Sequence, residues 1–177
     1  KNIADEASQL IGKDNAVILD IGCNDGTLMR NYPSKFEKYG VDPSDVAQEV
    51  KDDMTVVQDI FPSSELRKIT KGKKFDIITS IAMFYDLEDP TMFVKSIKES
   101  LDSEGIWIFE MSYMPLMLEM NSYDTICHEH LEYYSFAVIE KLLGNNEMKI
   151  VKVGFNDING GSIRCYATHE NNFKFKN

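Results

Sequence analysis

Basic residues are scarce in this chain: 19 lysines and arginines stand against 29 acids, a formal net charge of −10. A polyanionic partner such as DNA or RNA needs a basic patch to neutralise its phosphates, so this balance argues against nucleic acid and for a small-molecule substrate. Cysteine is sparse too. Cys23, Cys127 and Cys165 are odd in number and form no C-x-x-C pair, so neither a disulfide framework nor a cysteine-based zinc site follows, and three buried free thiols are expected. No apolar run approaches the roughly 18 residues needed to cross a bilayer, and the opening Lys1-Asn-Ile-Ala-Asp-Glu lacks the apolar core of a signal peptide. The expectation is a soluble chain in the cytoplasm with no membrane partner. Internal repeats and linkers are missing as well, apart from the polar end Asn171 to Asn177. So is an initiating methionine, which raises the expectation of a piece of a longer protein.

What is present is enough for one domain over residues 1–177: 43% of the residues are hydrophobic, sufficient for a sizeable core. Apolar strand-like runs alternate with amphipathic segments, the pattern of a mostly parallel sheet covered by helices, hence an α/β fold. Val17–Ile21, Lys38–Val41, Met54–Val57, Phe75–Thr79 and Ile106–Phe109 are the five successive strand candidates. Asp89-Pro90 places a capping carboxylate before a proline at a helix start, opening a helix through Phe93, Ile97 and Leu101, with Gly105 ending the turn after it. A loop-rich insert is expected from about 111 to 134, with Met111, Met114, Met117 and Met120 interrupted by Pro115 as loose packing or a mobile lid, then a helix from Ser135 to Leu143. The runs Lys149–Phe155 and Ile163–Thr168 flank Asn156-Asp-Ile-Asn-Gly-Gly161 and read as an antiparallel pair at the sheet edge.

The turn after the first strand, Leu19-Asp-Ile-Gly-Cys-Asn-Asp-Gly-Thr27, is where a ligand would sit, because glycine lets the backbone turn tightly and approach a ligand closely. An ordinary strand-to-helix turn would use the same glycines. The dinucleotide fingerprint G-x-G-x-x-G would need glycine at Asn24 and Thr27, which disfavours NAD. What remains is D-x-G-x-x-x-G, formed by Asp20, Gly22 and Gly26, followed by Asp42 at the end of the second strand, where a carboxylate can take both ribose hydroxyls of an adenosine cofactor.

These residues resemble the class I methyltransferases that use S-adenosyl-L-methionine, whose first strand ends in acidic-x-Gly-x-Gly-x-Gly and whose second ends in an acid. Asn24 stands in place of the middle glycine. The resemblance implies a Rossmann-like fold with helices on both faces of the sheet. It also implies Asp20, Gly22, Asn24 and Gly26 at the amino-acid end of the cofactor, Asp42 on the ribose, Asp59 near the adenine, and Ser80 to Ala82 facing the sulfonium.

A second likeness joins this core to a segment that gathers two of the three histidines. Asp124-Thr-Ile-Cys-His-Glu-His-Leu-Glu-Tyr-Tyr-Ser135 and Asn159-Gly-Gly-Ser-Ile-Arg164 resemble the D-T-x-x-H-E-H-x-x-Y-Y-S and H/N-G-G-S-x-R motifs of C-methyltransferases acting on nucleotide-linked keto-deoxysugars. In that family the second histidine of H-E-H is the proposed base and the glutamate helps hold the substrate, which here implies His130 and Glu129, with His128 beside them. Cys127 replaces the usual tyrosine, and Ala82 stands near where the family often has an asparagine. The family's N-terminal zinc module and C-terminal domain have no counterpart in these residues, so part of the substrate site is expected from flanking regions.

Carbon methylation makes chemical sense of a histidine base. A proton beside a ketone is acidic enough for a positioned imidazole, which titrates near neutral pH, to remove; Tyr85, Tyr123 or Tyr133 could then stabilise the enolate oxygen. Other readings stay open. His128 and His130 would share a face of an extended segment and could, with His169 or a carboxylate, bind zinc, but no third ligand has a recognisable spacing and no metal is expected. The histidines could simply hydrogen-bond loop backbone. Arg164 could meet a diphosphate or pair with an acid. The alternatives for the whole chain are O- or N-methylation of a small metabolite, or a cofactor-binding domain without turnover of its own; the sequence gives no oligomeric state.

Overall fold

The computed structural model describes residues 2–50 and 53–175, so Lys1 of the opening segment and Lys176 and Asn177 of the polar end lie outside the described residues. Among the described residues seven strands form in chain order: β1 (Val17–Ile21), β2 (Glu37–Val41), β3 (Met54–Val57), β4 (Phe75–Ile81), β5 (Leu101–Ser112), β6 (Met148–Asn156) and β7 (Ser162–His169). Six α-helices accompany them among the described residues: α1 (Asn2–Ile11), α2 (Thr27–Arg30), α3 (Ser64–Ile69), α4 (Pro90–Ser100), α5 (Met114–Met120) and α6 (Phe136–Asn145). The strands make one sheet in the order β3-β2-β1-β4-β5-β7-β6. The first five are parallel, and β7 enters antiparallel between β5 and β6. This is the Rossmann-like α/β architecture, with the antiparallel pair at one edge.

The alternation of side chains along each strand divides the core. Leu19, Ile78, Trp107 and Phe109 pack on one face with Phe93, Val94 and Ile97 of α4 and Ile139 and Leu143 of α6. Ile18, Ile77, Ile106 and Ile108 pack on the other with Ala4, Ala7 and Ile11 of α1. The three α1 residues fall on one helical stripe, which lets this small-residue face lie close against the sheet. Helix α4 begins as expected. The Asp89 carboxylate accepts from Met92 N–H at 2.9 Å, a cap that contributes about 1 kcal/mol, and Pro90 occupies the first turn.

Three expectations are corrected. Gly105 does not end a turn: it lies inside β5, where Phe75 pairs with Leu101 but Ile77 pairs with Ile106, so a bulge absorbs the extra residues. A side chain there would bring a Cβ within 2.9 Å of the Phe75 carbonyl, which explains the glycine. Pro115 does not interrupt the methionine series: within an insert that is loop-rich as expected, it sits in the first turn of α5, where a missing N–H costs nothing, and Met117 is buried beneath that helix. Finally, Cys23 and Cys165 are buried, but Cys127 is only half-buried.

Candidate functional site

The sequential order of the strands reverses between β1 and β4, where chain connections leave in opposite directions and open a crevice at the carboxyl edge. A cleft of about 630 Å³ lies there, walled by Asp20, Gly22, Asn24, Asp25, Leu28 and Ile81, with Ile3 of α1 closing one side. Gly22 and Gly26 have φ of +72° and +77°, so each needs the left-handed freedom of glycine; Asn24 takes φ of +48°, which asparagine tolerates better than most residues.

Three of the expected cofactor residues, Asp20, Gly22 and Asn24, therefore line this cleft, and Asp42 stands directly behind it. The buried Asp42 carboxylate accepts from the Asn24 N–H at 2.9 Å and from the Ser44 N–H at 2.8 Å, pinning the glycine loop to the end of β2. Gly26 turns the chain into α2 rather than lining the cleft. Asp59 follows β3 outside the lining residues; the Ser63 hydroxyl and the Ile60 N–H bond its carboxylate and hold its pKa below the ordinary value.

Ser80 is displaced by strand periodicity. Asp20, Thr79 and Ile81 share the α1 side of the sheet, so Ser80 between them points to the opposite face, where it is fully buried and accepts from the Trp107 indole N–H at 3.0 Å. Its side chain stands in the core; Ile81 is the residue of this strand end that reaches the cleft. Ala82, at φ +55°, donates its N–H to the Glu110 carbonyl and turns the chain toward the Tyr85 segment.

The Asp20 carboxyl is the unusual group of the cleft. Burial pushes its pKa up to about 7; a hydrogen bond from the Thr79 hydroxyl opposes that rise, and the nearby Asp42 charge adds to it. Among the described residues no lysine or arginine lines the cleft. Buried acid, glycine backbone and absent cations together suit a ligand carrying positive charge.

The histidine segment meets this cleft through a short chain of contacts. A Cβ on Gly22 would touch Met83 at 3.5 Å, and Met83 leads into a 3₁₀ turn, Phe84–Asp86, that presents Tyr85. The Tyr85 ring lies 4.2 Å, centroid to centroid, from the His130 ring, and Tyr133 stands edge-on to it at 6.4 Å. The Tyr85 carbonyl accepts from the N–H groups of Leu131 and Glu132, which fixes the chain just after His130.

His130 Nδ1 lies 2.8 Å from the Thr125 carbonyl oxygen. A carbonyl only accepts, so Nδ1 donates the proton and the neutral ring keeps its basic lone pair on Nε2. The contact pins the loop and sets the tautomer at once. His128 and Glu129 are different: their side chains are 92% and 72% exposed, and they face each other across 3.8 Å at the surface. His169 bonds the Leu101 carbonyl at the opposite edge of the sheet, so it cannot join the other two in a zinc site. Among the described residues no group of three or more His, Cys, Asp or Glu side chains is placed to hold a metal ion. Asp86 was not anticipated. Burial raises its pKa, the His130 ring opposes the rise, and Glu129 adds to it, so this carboxyl belongs to the same electrostatic cluster.

Arg164 takes the pairing option. Its Nε donates to Glu110 at 2.7 Å and its NH1 to Asn2 at 2.9 Å, and Asn156 donates to the same Glu110 oxygen at 3.0 Å. The glycines before it have a steric role. A Cβ on Gly160 would come within 2.6 Å of Ser122 Cβ, and one on Gly161 within 2.6 Å of Leu116 Cβ, so the turn between β6 and β7 is pressed against α5 and the start of the histidine loop.

The family model described as "Methyltransferase domain" matches residues 1–153. The chain belongs to that methyltransferase family. The C-methyltransferase NovU of Streptomyces niveus is 24% identical to this methyltransferase domain over 174 residues, covering 94% of this chain and 41% of the relative's length. The chain thus spans about two fifths of that curated relative. Among solved structures, the plantazolicin methyltransferase BpumL with a triazolic desmethylPZN analog and SAH superposes with a TM-score of 0.72 at 14% identity, over 94% of this chain and 81% of that one. The magnesium protoporphyrin IX methyltransferase ChlM of Synechocystis PCC 6803 with bound SAH reaches 0.68 at 16% identity, over 95% and 82%. A S-adenosylmethionine-dependent methyltransferase from Clostridium acetobutylicum also reaches 0.68 at 16% identity, over 94% and 92%. At these identities the likeness is one of fold. No helix among the described residues is long and apolar enough to cross a membrane.

Proposed function

We propose that this methyltransferase domain binds S-adenosyl-L-methionine in the β1–β4 cleft and transfers its methyl group to a carbon beside a carbonyl of a small acceptor, a nucleotide-linked keto sugar being the acceptor class the sequence motifs favour. The acidic cleft, with no lysine or arginine among its described lining residues, fits the positive charge of that cofactor, with Asp20, Gly22 and Asn24 at its amino-acid end and Asp42 at its ribose. Asp59 and the backbone of Ala82 remain the candidates for the adenine and sulfonium ends. When bound, the cofactor supplies an electrophilic methyl group on sulfur.

The protein's own residues deal with the proton. His130 Nε2, left unprotonated by the Nδ1 contact to Thr125, takes the proton from the acceptor carbon, and that contact is the observation that carries this reading. The Thr125 carbonyl stabilises the imidazolium that results, and Tyr85 holds the ring in place from one face. Glu129, exposed on the neighbouring residue, is available to accept from an acceptor hydroxyl, and the Tyr133 hydroxyl, by leaving its long 3.4 Å contact with the Thr125 carbonyl, to donate to the developing enolate oxygen. Activity of the full-length protein, including contacts from regions beyond this chain, is part of the proposal.

Proton exchange tests it. With a keto-sugar acceptor and S-adenosylhomocysteine in D₂O, the protein should wash deuterium into the carbon beside the carbonyl without methyl transfer. Absence of exchange alongside an ether-linked or nitrogen-linked methyl product would assign the domain to O- or N-methylation instead.

The Asp20 carboxyl adds a pH dependence. Its folded pKa, about 7, exceeds the roughly 3.9 of an unfolded aspartate, so its contribution to stability is greatest below about pH 4 and is lost as pH rises to about 7. A bound cation reverses the preference, because it stabilises the carboxylate. Affinity for S-adenosylhomocysteine, whose ammonium remains charged, should therefore fall toward tenfold per unit as pH drops below about 7. Calorimetry at pH 8, 7 and 6, with proton release on binding growing at the lower pH, checks this; a flat affinity would exclude Asp20 as the partner of the cofactor's charge.

A further inference from the structure

Residues 99–140 contain neither a lysine nor an arginine, although they carry His130, Thr125, Tyr133 and all of α5. The turn between β6 and β7 that packs on this stretch adds no cation, and Arg164 just beyond it is committed to Glu110. Within this stretch lies a hollow of about 270 Å³ between α5 and the 3₁₀ turn Tyr123–Thr125, walled by Met114, Met117, Leu118, Tyr123, Ile126 and Tyr133. Its apolar walls are left in water: Leu118, Tyr123 and Ile126 are 70%, 73% and 63% exposed.

Tyr133 is common to the hollow and to the base. Its ring stands edge-on to His130, and its hydroxyl reaches the same Thr125 carbonyl, at 3.4 Å, that fixes the imidazole. A group seated in the hollow is thus held one aromatic ring away from His130. A diphosphate there would lose its water to a mostly apolar lining, with no lysine or arginine in residues 99–140 to replace it, on a segment that carries Glu119, Asp124 and Glu129.

We propose that this hollow is an acceptor subsite that takes an uncharged, apolar group of the methyl acceptor across Tyr133 from His130, while any diphosphate on that acceptor is gripped outside residues 99–140. The proposal rests on the reading of His130 as the base and narrows the acceptor to a molecule with a separate apolar portion. Indole is a suitable probe, being uncharged, planar and small enough for the volume.

In protein carrying ¹³C-methyl methionine, indole should shift the methyl signals of Met114 and Met117, and millimolar inorganic pyrophosphate should not. Ile126→Asp and, on the opposite wall, Leu118→Asp replace exposed side chains. Each should weaken indole binding at least tenfold while S-adenosylhomocysteine still binds. The idea is overturned if indole leaves both methyls unmoved in protein that binds S-adenosylhomocysteine, if pyrophosphate moves them, or if wild-type protein self-associates through this face and loses that association in Ile126→Asp. Loss of S-adenosylhomocysteine binding by the wild type, with the indole shifts intact, would instead overturn the cofactor reading and leave the hollow as a ligand site.

Discussion

Replacing His130 by glutamine is expected to lower turnover by about 10²- to 10⁴-fold while leaving cofactor affinity nearly intact, the range for loss of a positioned general base. Glutamine can still donate to the Thr125 carbonyl and fill part of the space beside Tyr85, so the loop should keep its place. What it cannot do is take a proton. The deuterium exchange seen with S-adenosylhomocysteine should vanish along with methyl transfer, which separates loss of the base from loss of acceptor binding. His128→Gln should do far less, because that ring is exposed and holds only a surface contact with Glu129. Exchange that persists without His130, or a larger defect from His128, would move the base elsewhere.

Asp42→Ala should weaken S-adenosylhomocysteine binding by about 1.5–3 kcal/mol, or roughly 10- to 150-fold, the scale of hydrogen bonds to a charged group. Two losses combine. The ribose would lose its acceptor, and the N–H groups of Asn24 and Ser44 would lose the carboxylate that holds the glycine loop against β2. Asp42→Asn, which keeps one acceptor oxygen, should fall between wild type and alanine. Calorimetry on the three proteins decides the matter; equal affinities would remove Asp42 from the cofactor site.

Where local chemistry decides structure, the sequence was a good guide. The runs Val17–Ile21 and Met54–Val57 are strands with the expected ends, and Asp89 caps its helix through the carboxylate that suggested it. Expectation failed where distant pairing decides. The polar residues Asp102, Ser103 and Glu104 look like turn, but a bulge opposite Phe75 carries them within β5. Pro115 looks like an interruption until its position in the first turn of a helix is known. At the cleft, spacing pointed to Asp20 and Gly22 and the methyltransferase resemblance added Asn24, whereas neither could place the Ser80 side chain, since one residue of strand register decides which face a side chain takes. The Thr125 carbonyl left no signal at all, because a backbone acceptor is the same atom in every residue. Asp86 becomes visible only when the fold brings it beside His130.

The close seating of Gly160 and Gly161 on Ser122 and Leu116 also sets an order of events during synthesis. Chains emerge from the ribosome amino end first, and β1 to β5 with α1 and α4 are complete some fifty residues before that turn exists. A nascent chain can therefore close its cofactor cleft early. Until the β6–β7 turn arrives, the segment bearing His130 has the Tyr85 carbonyl to hold it but not the turn that packs on its start, so a later-translated turn completes the seating of the proposed base.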